Sequence, residues 1–283
     1  MLGNDFLTRF LKEQLSIWEL AKSNYEKLQF VEEKEFVFGE IRILAQYNPE
    51  REKSTIAKVE KTTEKMCILC ENNLPKEQIK YEIAENFFLL VNPFPIFSEH
   101  FTIAHKNHID QNIDLVFNDF LEISRNLPEN YFIFYNGAKS GASIPGHLHF
   151  QIGRKDELPI FANKIANQNQ FYEQKTINRH FVISNSDKEK TKQQFVNLLK
   201  SEKFNQNGEM INVLAFFEEN YFKIIVFLRK KHRPEFYYLS DENQMLVSPA
   251  AIDLAGKIIF PRKVDFEKLS KEKIGQIFTE VLL

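Results

Sequence analysis

The chain carries 28 phenylalanines against only 9 glycines in 283 residues, and this imbalance narrows the fold before any motif is read. Flat aromatic side chains pack well on pleated, half-buried sheet faces, whereas dinucleotide-binding folds need closely spaced glycines where backbone meets pyrophosphate. No Gly-x-Gly-x-x-Gly and no Walker A pattern occurs, so the Rossmann and P-loop readings lose their main support. An aromatic-rich sheet is expected instead.

With 37 basic and 39 acidic residues the formal charge is -2, and no long basic run marks a dedicated nucleic-acid binder. An anionic ligand would have to be held locally. The N-terminal MLGNDFLTRFLKEQ mixes charges into its apolar residues, unlike a signal peptide, and no stretch has membrane-spanning length. Two cysteines, Cys67 and Cys70, suit a reducing cytoplasm, as a metal hairpin or a redox pair more than a disulfide across the fold.

Apolar spacing predicts a helix from Asp5 to Leu28 and strands around Phe36 to Gln46. The polar stretch from Asn48 to Lys65 reads as a surface loop. Asn86 to Val91 and Phe101 to His105 read as paired strands separated by the Pro93 and Pro95 stop. Ile109 to Leu127 has helical periodicity. Tyr131 to Asn136 is a strand, Gly137 to Gly146 a loop, and His147 to Ile152 another strand. Beyond these come a helical connection from Glu157 to Gln174, a helix over Lys188 to Ser201, strands at Met210 to Phe217 and Tyr221 to Arg229, the stretch Met245 to Pro261, and a closing helix over Asp265 to Leu282. The order indicates an antiparallel-rich α+β unit. The last third, with its strands and its Ser-Pro-Ala-Ala segment, hints at a degenerate second copy of the first unit.

Chemistry concentrates in His147-Leu148-His149-Phe150-Gln151. On a strand, residues two apart share a face, so both histidines and Gln151 project together while Leu148 and Phe150 enter the core. A half-exposed strand that happens to carry histidines would look the same. The preceding Asn136-Gly137-Ala138-Lys139-Ser140-Gly141-Ala142-Ser143-Ile144-Pro145-Gly146 adds small residues, backbone N–H groups and a lysine beside the comb, as a phosphate cradle requires.

Loop and comb together resemble the branch of the histidine-triad superfamily that holds galactose-1-phosphate uridylyltransferases and diadenosine-tetraphosphate phosphorylases. There an asparagine and a Gly-x-Ser precede a His-x-His-x-Gln strand; the comb is also similar to that of the GDP-hexose phosphorylases. The resemblance implies an α+β, HIT-like antiparallel sheet with flanking helices, in two HIT-like halves of which the second is degenerate. The halves would be residues 1–155, catalytic and with the N-terminal helix, and 156–283. His149 would attack the α-phosphorus and form a covalent nucleotidyl-histidine, in ping-pong fashion. Gln151 would donate to a non-bridging oxygen, and amides from Gly141 to Ser143 would stabilise the charge developing there. Asn92, Asn136, Lys139, Gly141 and Ser143 are the expected substrate contacts. For Asn92, ribose binding competes with a turn cap, and for neighbouring Phe94 and Phe97 a base wall competes with the core. Three residues, Ile144-Pro145-Gly146, lie between Ser143 and His147, an imperfect fit to the uridylyltransferase pattern.

The resemblance also implies a structural Zn2+ held by Cys67, Cys70, His108 and His147, a closed set with no position left for water. A redox pair or two buried thiols are the competing readings of Cys67 and Cys70, although no Gly-Pro stands between them. Hydrolytic relatives carry a third histidine at the place of Gln151, and an amide cannot shuttle a proton, so transfer is favoured over hydrolysis.

The expected activity is nucleotidyl transfer from a nucleoside diphosphate sugar to phosphate or a sugar phosphate. A dinucleoside polyphosphate phosphorylase or ATP adenylyltransferase is the nearest rival, a nucleotide hydrolase a further one, and a non-catalytic, zinc-stabilised nucleotide-binding protein the rival of another class. Expected partners are the nucleotide substrate and phosphate, without nucleic acid or membrane, in a monomer or homodimer. The Arg229-to-Arg233 run reads either as a distal-phosphate site or as a solvated strand end.

Overall fold

The computed structural model describes residues 2–49, 67–202 and 207–283; apart from Asn48 and Pro49, the expected polar loop lies outside them. Among the described residues, twelve strands form two sheets. A three-stranded sheet joins the hairpin β1 (Glu32–Phe38) and β2 (Ile41–Tyr47) to β12 (Lys257–Phe260), which runs parallel to β2. Gly39, at φ +61°, makes the tight turn of that hairpin.

The main sheet has nine strands: β3 (Lys80–Ile83), β4 (Phe87–Val91), β5 (Phe101–His105), β6 (Tyr131–Asn136), β7 (His149–Arg154), β8 (Gln170–Gln174), β9 (His180–Asn185), β10 (Ile211–Glu218) and β11 (Tyr221–Leu228). Their spatial order is β3-β4-β5-β7-β6-β10-β11-β9-β8, all antiparallel. Read outward from the β6–β10 seam, the two flanks repeat one another. β4-β5-β7-β6 on one side is matched by β8-β9-β11-β10 on the other, and each flank inserts a helix between its second and third strands in chain order. These helices are α3 (Phe117–Asn126) and α4 (Lys188–Lys200). Phe117 and Phe195 meet face to face at 4.0 Å between ring centres, a contact of about 0.5–1.5 kcal/mol beyond the area it buries.

Strand alternation sorts the side chains. Phe101, Ile103, Tyr131, Ile133, Phe150, Ile152, Val213 and Ile224 point to the helical side, where Phe120 of α3 and Leu198 of α4 cover them. Phe132, Phe134, Leu214, Phe216, Ile225 and Phe227 point the other way, into a core shared with the small sheet, α5 (Ala251–Leu254), α6 (Lys263–Glu267) and α7 (Lys271–Val281). His149 and Gln151 stand on this second face by parity with Phe132 and Phe134.

Several expected elements differ. The N-terminal helix is two, α1 (Asn4–Ile17) and α2 (Glu19–Lys27), broken at the buried Trp18 with φ -121° and ψ 93°. The helix expected from Ile109 begins only at Phe117, because the Asn112 side chain accepts from Asp114 N and closes a short 3-10 turn there. Residues 157–174 are short turns followed by strand β8, not a helical connection. The closing helix is split into α6 and α7. The second copy is built from residues 170–228; the Ser-Pro-Ala-Ala segment instead packs across the first copy's loop.

Candidate functional site

Cys67 and Cys70 meet His108 and His147 in one buried cluster. Cys67 Sγ lies 3.3 Å from His147 Nδ1, Cys70 Sγ lies 3.3 Å from His108 Nδ1 and 3.6 Å from His147 Nδ1, and all four donor atoms fall within 4.8 Å of one another. Zinc bonded to sulfur at about 2.3 Å and nitrogen at about 2.1 Å separates its ligands by roughly 3.3–3.8 Å. The cluster therefore fits a metal ion. The two thiols are not disulfide-bonded. His147 Nε2–H donates to the His105 carbonyl at 2.7 Å, which leaves Nδ1 as the lone pair facing the sulfurs. Burial lowers the His147 pKa to about 4, outweighing that hydrogen bond, so the ring is held in its neutral, ligating form.

The same residue orients its neighbour. His149 Nδ1–H donates to the His147 carbonyl at 2.8 Å, and Nε2 has no hydrogen-bond partner among the described residues. The ring is 3% exposed, and burial lowers its pKa against the raising effect of that bond. Gln111, which sequence reasoning missed, clamps the backbone here. Its Oε1 accepts from His149 N at 2.7 Å, and its Nε2 donates to the carbonyls of His149 and Asn136, each at 2.9 Å. A glutamine in an irregular segment carries no periodic signal that could have marked it.

Gln151 is held from two sides. His100 accepts from Ile96 N at its Nδ1, so its Nε2–H donates to Gln151 Oε1 at 2.9 Å, and Asn92 Nδ2 donates to the same oxygen at 3.4 Å. With its carbonyl occupied, the amide turns its NH2 group outward as a donor. Asn92 Oδ1 meanwhile accepts from Phe94 N at 2.9 Å, which is the turn cap. Phe97 is fully buried against Phe132 and Phe134 and is core, whereas Phe94 is partly exposed.

In the loop between β6 and β7, Ser140 N and Ala142 N both donate to the Gly137 carbonyl. The amides of Gly141 and Ser143 have no acceptor among the described residues. Gly137 is required because a Cβ there would lie 2.4 Å from the Glu209 carbonyl oxygen. Gly141 has φ +104°, and its own Cβ would lie 2.7 Å from that of Ala250. Ser143 is exposed, and Lys139 pairs with Glu209 at 2.8 Å on the surface. Asn136 is buried, its Oδ1 accepting from Asn212 Nδ2 and Ala251 N, each at 2.8 Å.

The Arg229-to-Arg233 run is not an open positive patch. Arg229 is fully buried and donates to Asn212 Oδ1 at 2.6 Å and to the carbonyls of His232, Pro249 and Lys231 at 2.7, 3.0 and 3.1 Å. Lys231 pairs with Glu280 at 2.9 Å, and Arg233 donates to Ser248 Oγ at the same distance. The run staples the C-terminal segment over the loop. Two clefts, of about 940 and 1100 Å3, open elsewhere in the molecule and are not lined by His149. No helix among the described residues is long and apolar enough to cross a membrane.

Solved structures with the same fold include yeast Ap4A phosphorylase Apa2 in complex with Ap4A, at TM-score 0.61 and 14% identity over 100% of this chain and 99% of that one. The AMP complex of the same enzyme gives TM-score 0.59 and 16% identity over 97% and 95%. These likenesses establish the HIT-like fold, with its two halves, over the whole chain. No curated protein matches the sequence. A protein-family profile described as "Domain of unknown function (DUF4922)" matches residues 10–154, more than half of the chain, and the chain belongs to that family.

Proposed function

We propose that this chain is a nucleotidyltransferase or phosphorylase that moves a nucleoside monophosphate through His149. The observation that carries the reading is the fixed tautomer of His149: Nδ1–H is committed to the His147 carbonyl, so the free lone pair is on Nε2. Nε2 attacks the α-phosphorus of a phosphoanhydride, the N–P bond forms, and the bond to the bridging oxygen breaks, releasing a sugar phosphate from a nucleoside diphosphate sugar or a nucleoside polyphosphate from a dinucleoside polyphosphate. An oxygen of inorganic phosphate or of a sugar phosphate then attacks the same phosphorus and the N–P bond breaks, restoring the imidazole. The outward NH2 of Gln151 and the unbonded amides of Gly141 and Ser143 are the donors for the non-bridging oxygens. Ser143 and Lys139 are assigned to ribose and phosphate contact, while Asn92, as a turn cap, holds the Gln151 carbonyl and Asn136 positions the loop.

The donor expected from the comb is a nucleoside diphosphate sugar. A dinucleoside polyphosphate is the second reading, supported by the whole-chain likeness to yeast Ap4A phosphorylase. In this scheme residues 1–155 form the catalytic half and 156–283 the degenerate one. Zn2+ at Cys67, Cys70, His108 and His147 is structural, and a reducing cytoplasm would keep its thiolates competent.

Intact-mass measurement after incubation with a panel of both donor types tests the proposal. The wild type should gain one acid-labile nucleoside monophosphate, and His149→Ala none. If no donor modifies the wild type, the transfer reading falls and the result favours a nucleotide-binding protein without turnover. Product analysis with and without phosphate separates transfer from hydrolysis.

A further inference from the structure

The repeat relates the two flanks residue by residue. Laying the pair Tyr131–Arg154 on Ile211–Leu228, and Phe101–Ile152 on Phe181–Val226, puts Lys223 where His149 stands and Ile225 where Gln151 stands. The second flank has therefore lost the nucleophile, yet its face is not filled in. A cleft of about 1100 Å3 opens there, lined by Lys155, Tyr172, His180, Val182, Phe216 and Ile225 among others.

We propose that this cleft is a second ligand site, taking an organic phosphate monoester whose anionic end pairs with Lys155 Nζ. That atom is buried and makes no hydrogen bond among the described residues. It lies 4.0 Å above the Phe216 ring, and the nearest carboxylate oxygen in an ion pair with it, on Glu218, is 3.9 Å away. Glu218 is already taken by the buried Lys223. Two lysines thus share one carboxylate. Buried cations are ordinarily paired and hydrogen-bonded, and a phosphate would supply what this one lacks.

The far side of the cleft offers a second contact. His180 Nδ1–H donates to the Asn178 carbonyl at 2.7 Å, two residues upstream, repeating the bond that fixes His149. Its Nε2 is left as an acceptor for a ligand hydroxyl. Lys155 Nζ stands over Phe216, which pairs with Lys223, and four residues of strand, about 13 Å, separate that level from His180, enough for a sugar between hydroxyl and phosphate contacts. Phe216 and Tyr172 offer flat apolar surface for the body of such a ligand.

Calorimetric titration of the full chain with ribose 5-phosphate tests the site. Wild type and His149→Ala should bind equally, Lys155→Arg should retain binding, and Lys155→Met should weaken it roughly tenfold or more, as truncating one side of a desolvated charge pair does. Lys155→Met should melt no lower than the wild type, since it removes a buried charge without a hydrogen-bond partner. No binding by the wild type, binding lost in His149→Ala and kept in Lys155→Met, or a marked fall in melting temperature of Lys155→Met would each overturn the proposal. Inactivity toward every nucleotide donor would leave it standing, because nothing in it depends on His149.

Discussion

Replacing Gln111 with leucine isolates the clamp that holds the reacting strand. The side chain is 1% exposed and makes three bonds to backbone, at 2.7, 2.9 and 2.9 Å. Leucine has nearly the same volume but no polar atoms, so His149 N–H and the carbonyls of His149 and Asn136 would lose their side-chain partner without a cavity opening. Each buried polar group left unpaired costs about 1–3 kcal/mol, so the variant should lose roughly 3 kcal/mol or more. At about 2–4 °C per kcal/mol for a chain of this size, the melting temperature should fall by at least roughly 6 °C. The backbone of the nucleophile would shift with it, and misplacement near 1 Å costs about 10²-fold in rate. Thermal denaturation followed by circular dichroism, paired with the initial rate of adduct formation, reads both effects. A Gln111→Leu protein that melts within about 2 °C of the wild type and is nucleotidylated at the wild-type rate would refute the clamp, since one orphaned group alone should exceed that shift.

Elemental analysis should find one zinc per chain in the wild type and far less in Cys67→Ser or His147→Ala; a variant that retains a full equivalent would remove its residue from the ligand set. Because the His147 carbonyl orients His149, chelation should also slow adduct formation before the fold melts, which parallel rate and circular dichroism measurements can show. Gly141→Ala should destabilise the loop by about 1–3 kcal/mol, from its positive φ and from the clash with Ala250; Ala250→Gly should restore only the steric share in denaturant melts. Burial pushes the Glu99 pKa up, but hydrogen bonds from Tyr131, Thr8 and Arg154 win and hold it below 4.5. Its contribution is thus present above pH 4.5 and lost as pH falls through the depressed value. Glu99→Gln should flatten the stability-versus-pH curve in that acid range, and an unchanged slope would discount the network.

Legibility in the sequence followed burial. The strands β4, β5, β6, β7, β10 and β11 are dense in apolar residues and were readable from alternation or continuous runs. The Cys67, Cys70, His108 and His147 set was legible only through the family resemblance, because the two cysteines by themselves also suit a redox pair or two buried thiols. β8, Gln-Phe-Tyr-Glu-Gln, sits at a sheet edge with mixed burial, so local pattern could not separate it from a polar connection. β9 carries a signal, Phe181-Val182-Ile183, but the run is short and lies between two expected helices where no strand was predicted. His100 and Gln111 matter through partners 51 and 38 residues away, a relation that spacing along the chain does not encode. Arg229 misled for the opposite reason: a charge beside other charges suggests solvent, yet the Asn212 side chain and the carbonyls of Pro249, Val281 and the adjoining Lys231 and His232 draw its donors inward.

Four residue pairs, Ile133–Ala215 to Asn136–Asn212, stitch β6 to β10 and so join the flanks into one sheet. Cutting the polypeptide between them would bare a hydrophobic strand edge on each fragment, the kind of surface that recruits foreign chains. Either half made alone should therefore aggregate, and the two made together should recombine. Further strands could be added at the outer rims, β3 and β8, but neither flank can be discarded without unsealing the other.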